Sequence, residues 1–284
     1  MARRLSQSDR NWAVLGVELG TPDGPLRGQV RIDTGPMSLA EMVPSALELT
    51  SVLAGRANQK LARSGKPVSC CKGCGACCRQ LVPLSIPEVF YLMDLVETLD
   101  PIRRAATIGR FEAIDSALDE RGMVEPLLDM RVGGDPFRSL NQAYFEMQMA
   151  CPFLIDESCS IHPERPVACR EYSVTSDRRL CDNPFAAGID KVPMPLPLSA
   201  SLAWMTSELL GEPPILVPLP LAPRFAATHE GWREQRWPGL EMFQHFMRIA
   251  GGPPPDWAMD TPNNPPPAGI SPVASAPPAP PSEA

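Results

Sequence analysis

Apolar positions along this chain change their period several times, and each change marks an element. In Trp12-Ala-Val-Leu-Gly-Val-Glu-Leu19 and Gln29-Val-Arg-Ile-Asp33 they alternate, and Thr21-Pro-Asp-Gly24 lies between. Alternation on both sides of such a turn predicts an N-terminal β-hairpin over 12–33. Ser38-Leu-Ala-Glu41 has the spacing of a capping box and predicts a helix to about Arg63, stopped by Gly65-Lys-Pro67. Ser85-Ile-Pro-Glu88 repeats the signal, with proline tolerated in the first turn. Val89, Phe90, Leu92, Met93, Val96 and Leu99 then follow a helical period up to Asp100-Pro101. Further helices are expected over 102–120, 139–150, 199–211 and 230–250, with Gly133-Gly-Asp-Pro136 as a loop.

Two stretches follow neither period. Residues 151–184 are loop-rich, with too little apolar sequence to build a core, so they call for an external staple. From Gly251 onward the chain is rich in Pro and Ala, with Pro-Pro-Pro at 253–255 and 265–267, and a disordered or polyproline-like tail is expected.

Composition narrows the function. A chain of 284 residues with 44% hydrophobic content has room for one or two domains with a real core. A formal net charge of −7 argues against a general nucleic-acid binder, which would show a basic patch. The apolar stretch Trp12–Leu19 is short, holds Glu18 and is followed by no small-residue cleavage site, so a secretory signal is rejected. No apolar run reaches the roughly 18 residues of a membrane span. The expected location is the cytoplasm, where thiols stay reduced and cysteines serve metals better than disulfides.

The cysteines carry the chemistry. Five of the nine fall between positions 70 and 78: Cys70, Cys71, Cys74, Cys77 and Cys78. A C-x2-C step points two sulfurs inward around a tight turn, and Gly73 and Gly75 supply the backbone freedom. Crowded thiolates repel one another until a cation removes that cost, and Lys72 and Arg79 flank the loop. Cys151, Cys159, Cys169 and Cys181 form a second group. With Cys70 set aside, eight thiols remain. They suffice for two four-thiolate sites or for one cluster and one ion, and equally for a single site with spare cysteines. Zinc and iron–sulfur both suit all-thiolate donors. Cys71, Cys74 and Cys77 have the spacing of the first cysteines in a ferredoxin run, and Cys151 is followed by proline as in its last.

The segment Cys71-Lys-Gly-Cys-Gly-Ala-Cys-Cys78, with Cys151-Pro-Phe-Leu154 and Cys159-Ser-Ile-His-Pro-Glu-Arg-Pro-Val-Ala-Cys-Arg-Glu-Tyr172, resembles the YkgJ-type cysteine-cluster family over roughly 68–184. That family is described as zinc- or iron-chelating and is similar to the flagellin lysine N-methylases. The resemblance implies metal ligation by Cys71, Cys74, Cys77, Cys78, Cys151, Cys159 and Cys169, with Cys181 as a later match. His162 stands where an aromatic is usual, which speaks against a ligand role. A methylase would need S-adenosylmethionine, and no G-x-G-x-x-G fingerprint is present.

Among the remaining polar residues, Arg165, Arg170, Arg178 and Arg179 read as charge compensation for the thiolates rather than as a substrate pocket. Tyr172 is placed to cover the site or to donate its hydroxyl to a sulfur, Glu171 to pair with Arg170, and His245 to sit near the surface of its helix.

The expected fold is therefore mainly α, a helical protein with a loop-rich, metal-stapled cysteine cluster, a short N-terminal hairpin and a disordered tail. Its parts are a hairpin and helix over 1–67, the cysteine-cluster domain over 68–184, a helical extension over 185–251 and the tail over 252–284. The expected function is binding of zinc or an iron–sulfur cluster in a structural or redox role. The alternative is a metal-dependent enzyme of lysine N-methylase type. The expected partners are a metal ion and an unidentified protein partner or substrate, with neither nucleic acid nor membrane.

Overall fold

The computed structural model of the chain describes residues 11–131, 136–185 and 187–251. The expected loop at 133–136 falls largely, and the tail from 252 wholly, outside the described residues. Strands β1 (Trp12–Leu19) and β2 (Leu26–Asp33) pair antiparallel, with Trp12 opposite Asp33 and Leu19 opposite Leu26. The second strand begins at Leu26 rather than Gln29, because Arg27-Gly28 hides the alternation without breaking the ladder.

Helix α1 (Leu39–Arg63) starts at the first capping box. The Ser38 N–H donates to Glu41 Oε2 at 2.9 Å, and the Glu41 N–H donates to Ser38 Oγ at 3.4 Å. At α2 (Ile86–Thr98) the Ser85 N–H and hydroxyl both donate to Glu88 Oε2, at 2.9 and 2.7 Å. Helices α3 (Pro101–Asp119), α4 (Val124–Leu128), α5 (Pro136–Glu146), α6 (Val167–Glu171) and α7 (Leu198–Leu210) follow. The last three are α8 (Ala222–Thr228), α9 (Glu230–Glu234) and α10 (Gly239–Gly251).

Three expectations need correction. The helix expected over 230–250 is divided, because Trp237–Pro238 pairs with Pro36–Met37 as a two-residue strand. Proline donates no backbone hydrogen bond and holds the residue before it extended. Gly239 belongs to the same junction, since a Cβ there would collide with the Asp33 carbonyl oxygen and the Met37 side chain. The helix expected over 139–150 instead spans 136–146 and stops before Gln148, whose φ is 52°. His245 is buried rather than superficial, with Nε2 2.8 Å from Glu208 Oε2.

α1 packs on α2, α7 and α10, and α10 packs on α7 and β2. Leu39, Met42, Leu53, Val89, Phe90, Leu202, Met205, Phe243 and Phe246 fill that interface, which Leu19 and Ile32 of the hairpin close. A smaller core of Leu81, Ile114, Leu118, Leu127, Tyr144 and Leu221 lies around α3, α4 and α5. No helix among the described residues is long and apolar enough to cross a membrane. The two cysteine segments leave this frame between α1 and α2 and between α5 and α7.

Candidate metal centre

The first segment is shaped by turns. The Ser69 N–H donates to the Val174 carbonyl at 2.9 Å, which lays the start of the loop against the second segment. The Cys74 N–H closes a turn onto the Cys71 carbonyl at 3.2 Å, with Gly73 at φ 84°, a value that L side chains resist. A 3-10 turn over Ala76–Arg79 carries Cys77 and Cys78. The Cys151 N–H then donates to the Cys78 carbonyl at 2.7 Å, so backbone hydrogen bonds already join the two segments.

Each cysteine of the second segment has its own support. Cys151 precedes Pro152, whose carbonyl accepts from Arg110 Nε on α3 at 2.7 Å, and Phe153 packs edge-on against Phe111 with ring centroids 5.6 Å apart. Cys159 ends a small hairpin, Leu154–Ile155 against Ser158–Cys159. Its turn residues Asp156 and Glu157 take φ 47° and 53°, the left-handed geometry of a tight two-residue turn. Arg79 grips Glu157 with two hydrogen bonds, Nη1 to Oε2 at 3.0 Å and Nη2 to Oε1 at 2.6 Å. Cys169 lies on α6, the best-anchored element of the segment. The Val167 N–H donates to Glu88 Oε1 at 2.8 Å, Arg170 Nη1 donates to Ser51 Oγ at 2.7 Å, and Glu171 Oε1 accepts from the Ser199 N–H at 3.1 Å. Cys181 is buried on a 3-10 turn over Arg178–Asp182.

The thiols form two neighbourhoods that meet at Cys77. Burial pushes the Cys169 thiol well up, and Cys151, Cys77 and Cys159 add to the shift as like charges. Burial pushes Cys151 up to about 12, reinforced by Cys159 and Cys77. Cys77 is raised by its hydrogen bond with Cys78 and by burial. Cys159 is raised by burial and feels Cys77 as well. Arg165 opposes the rise at Cys70, Cys77, Cys159 and Cys169, so one guanidinium serves four thiols. The second neighbourhood centres on Cys181, raised by burial and then by Cys70, Cys74 and Cys77. Cys71 accepts a hydrogen bond from Nη1 of Arg178, on the turn that carries Cys181. All nine cysteines are free thiols. Among the described residues no three Cys, His, Asp or Glu side chains converge closely enough to hold an ion directly.

This donor chemistry fits a soft cation such as zinc or iron. Thiols held protonated by burial and mutual repulsion give up their protons when a cation replaces them. Residues 70–186 match a family model named CxxCxxCC, described as a "putative zinc- or iron-chelating domain". Residues 70–186 are thus similar to that family. No curated protein and no solved structure matches the chain.

Within the matched region, several polar groups make contacts that their place in the sequence does not show. Glu88 was visible as a capping residue, but its second oxygen holds the N-terminus of α6. Cys70 was set aside, yet its thiol interacts with Cys74 and Cys77 and takes a backbone hydrogen bond at Val174. Three buried donors find no acceptor among the protein atoms: Gln80 Nε2, Tyr172 Oη and Arg165 Nε. His162 accepts from Arg165, with Nη1 and Nε2 2.5 Å apart. Burial, Arg165 and Arg170 all lower the His162 pKa.

Proposed function

We propose that the chelating domain holds zinc as a fold-closing ion in two four-thiolate sites. Cys77, Cys151, Cys159 and Cys169 form one, and Cys71, Cys74, Cys78 and Cys181 the other. The observation that carries this reading is the neighbourhood of Cys169. Four thiols from separate stretches of the chain crowd together there, each disfavouring charge on the others, with Arg165 beside Cys77, Cys159 and Cys169 and Arg110 beside Cys151. A cation is the simplest relief of that repulsion, and a closed four-thiolate zinc site is structural rather than catalytic.

Zinc is favoured over a ferredoxin-type cluster by how the cysteines associate. Such a cluster would take Cys71, Cys74 and Cys77 from one run together with a remote cysteine. Cys77 instead reaches Cys151, Cys159 and Cys169 as well as its neighbour Cys78 and Cys181, while Cys74 neighbours Cys181 and Cys71 faces Arg178. Thiolate sites of this kind suit a reducing compartment such as the cytoplasm.

Metal analysis of protein purified without oxygen tests the proposal. The expected result is a colourless protein with about two zinc ions per chain. A brown protein with sulfur-to-iron absorption would replace zinc by an iron–sulfur cluster, and a protein without bound metal would end the reading. Cys169→Ser should lose metal and soluble protein together. Full metal content in that variant would remove Cys169 from the ligand set.

A further inference from the structure

Buried donors without acceptors are expensive, and a native fold keeps them only for a reason. Three lie around the thiols of this domain. Tyr172 Oη and Gln80 Nε2 face each other, yet neither makes a hydrogen bond of ordinary geometry. The Tyr172 hydroxyl also feels Cys181, Cys77 and Cys70, which places it between the two thiol neighbourhoods. Arg165 Nε is buried without a partner while the same guanidinium draws down four thiols. Gln80 follows directly on the turn that carries Cys77 and Cys78, and its own N–H is fixed to the Cys77 carbonyl at 3.2 Å.

A neutral thiol is a poor acceptor, whereas a metal-bound thiolate is a charged one with lone pairs to spare. From this contrast we propose that Gln80, Tyr172 and Arg165 are positioning residues whose donors are satisfied by the thiolate sulfurs only when the domain carries its metal. Two four-thiolate zinc sites would concentrate negative charge in one small volume. Arg165 offsets part of it as a cation, and Gln80 and Tyr172 offset more of it as aligned dipoles. The inference rests on the metal-binding reading and adds which side chains discriminate the loaded state from the unloaded one.

The test exploits a difference in sign. Tyr172→Phe removes one hydroxyl and keeps the ring. In protein stripped of metal under reducing conditions, the variant should melt no lower than the wild type, because without the metal the hydroxyl has no partner to lose. Its affinity for zinc, read by competition with a chromophoric chelator, should fall by about 10- to 100-fold. With cobalt(II) in place of zinc, the sulfur-to-cobalt charge-transfer band should move to lower energy, since a thiolate that loses a hydrogen bond becomes easier to oxidise. Gln80→Met provides a second variant with the same expected split, should Tyr172→Phe prove insoluble.

A variant that lowers the melting temperature of stripped and loaded protein equally, with affinity and cobalt spectrum unchanged, would assign the group to ordinary packing and overturn the proposal. Wild-type protein that takes up neither zinc nor cobalt would overturn the metal-binding reading itself. The two failures are therefore distinguishable.

Discussion

The helical frame and the cysteine loops of this protein are held by different physics. In the frame, α1, α2, α7 and α10 bury Leu39, Met42, Leu53, Phe90, Met205 and Phe246 almost completely. Burying each such side chain contributes about 1.5–3 kcal/mol, without regard to solution conditions beyond temperature and denaturant. The second cysteine segment, by contrast, has Phe153, Ile161, Val167 and Val174 as its large buried apolar side chains. Its order comes from turns, single backbone hydrogen bonds and arginines that reach across it. A region built this way depends on the state of its thiols, and the frame does not. Burial of apolar area makes a scaffold indifferent to metal, and a thin core makes its neighbour conditional on one.

The largest effect should come from taking the metal away. Structural thiolate zinc contributes about 10–16 kcal/mol of apparent free energy, enough to decide whether the loops fold. Chelation under reducing conditions should strip hydrogen-exchange protection from the amides of Ser69, Cys78, Cys151 and Ser160, all hydrogen-bonded within or between the two segments. Amides in the interior of α1, α2 and α7 should keep theirs. Loss of both sets in one transition would mean that frame and loops are a single cooperative unit, and the contrast would fail.

The same contrast explains what could be read from the chain beforehand. Both capping boxes, the hairpin and the helices α1, α2, α3 and α7 follow from local signals, because capping and periodicity act over a few residues. The helix boundaries that were missed depend on long-range facts. Trp237 and Pro238 pair with residues some 200 positions earlier, and α8 has seven residues, too short for a periodic signal. At the centre, cysteine spacing identified eight of the nine thiols as candidates, and the resemblance named the family. Which thiols are neighbours was not legible, since Cys77 meets Cys169 only after the chain has folded across some 90 residues. Gln80 and Glu88 have no local signature of their roles beside the thiols, because their partners lie in the other segment.

Glu88 is where the two regions meet, and it sharpens the contrast at intermediate size. One carboxylate oxygen caps α2, and the other takes the Val167 N–H at the start of the Cys169 helix. Burial raises its pKa above the ordinary 4.5, against the pull of hydrogen bonds from Ser85 and Val167. A raised folded-state value means that its contribution to stability is complete below about pH 4.5 and is lost as pH rises through the folded value. Glu88→Gln removes the titration and turns one acceptor into a donor facing another donor, at a cost of about 1–3 kcal/mol. Urea unfolding from pH 4.5 to 7.5 should show a less stable variant whose stability depends less on pH than that of the wild type. Metal should also be released at a lower chelator concentration. Parallel pH profiles would show that Glu88 does not titrate across this range.

Gly75→Ala should have the smallest effect, because at this position two weak influences oppose each other. A Cβ at residue 75 would meet Glu157 Oε2 and come within 3.0 Å of Leu154 Cδ1, both free ends of side chains. The carboxylate can swing away, at the expense of its pair with Arg79 on a surface where such pairs are worth little. Alanine meanwhile restricts the unfolded chain, a gain of about 0.4–1 kcal/mol, and the φ of −93° at Gly75 suits it. The net change in urea unfolding should stay within about 0.5 kcal/mol, with zinc content unaltered. A loss of several kcal/mol would show that the Leu154–Cys159 hairpin cannot yield to one added methyl group. That rigidity is the property of a packed frame, and it would move the hairpin to the other side of the comparison.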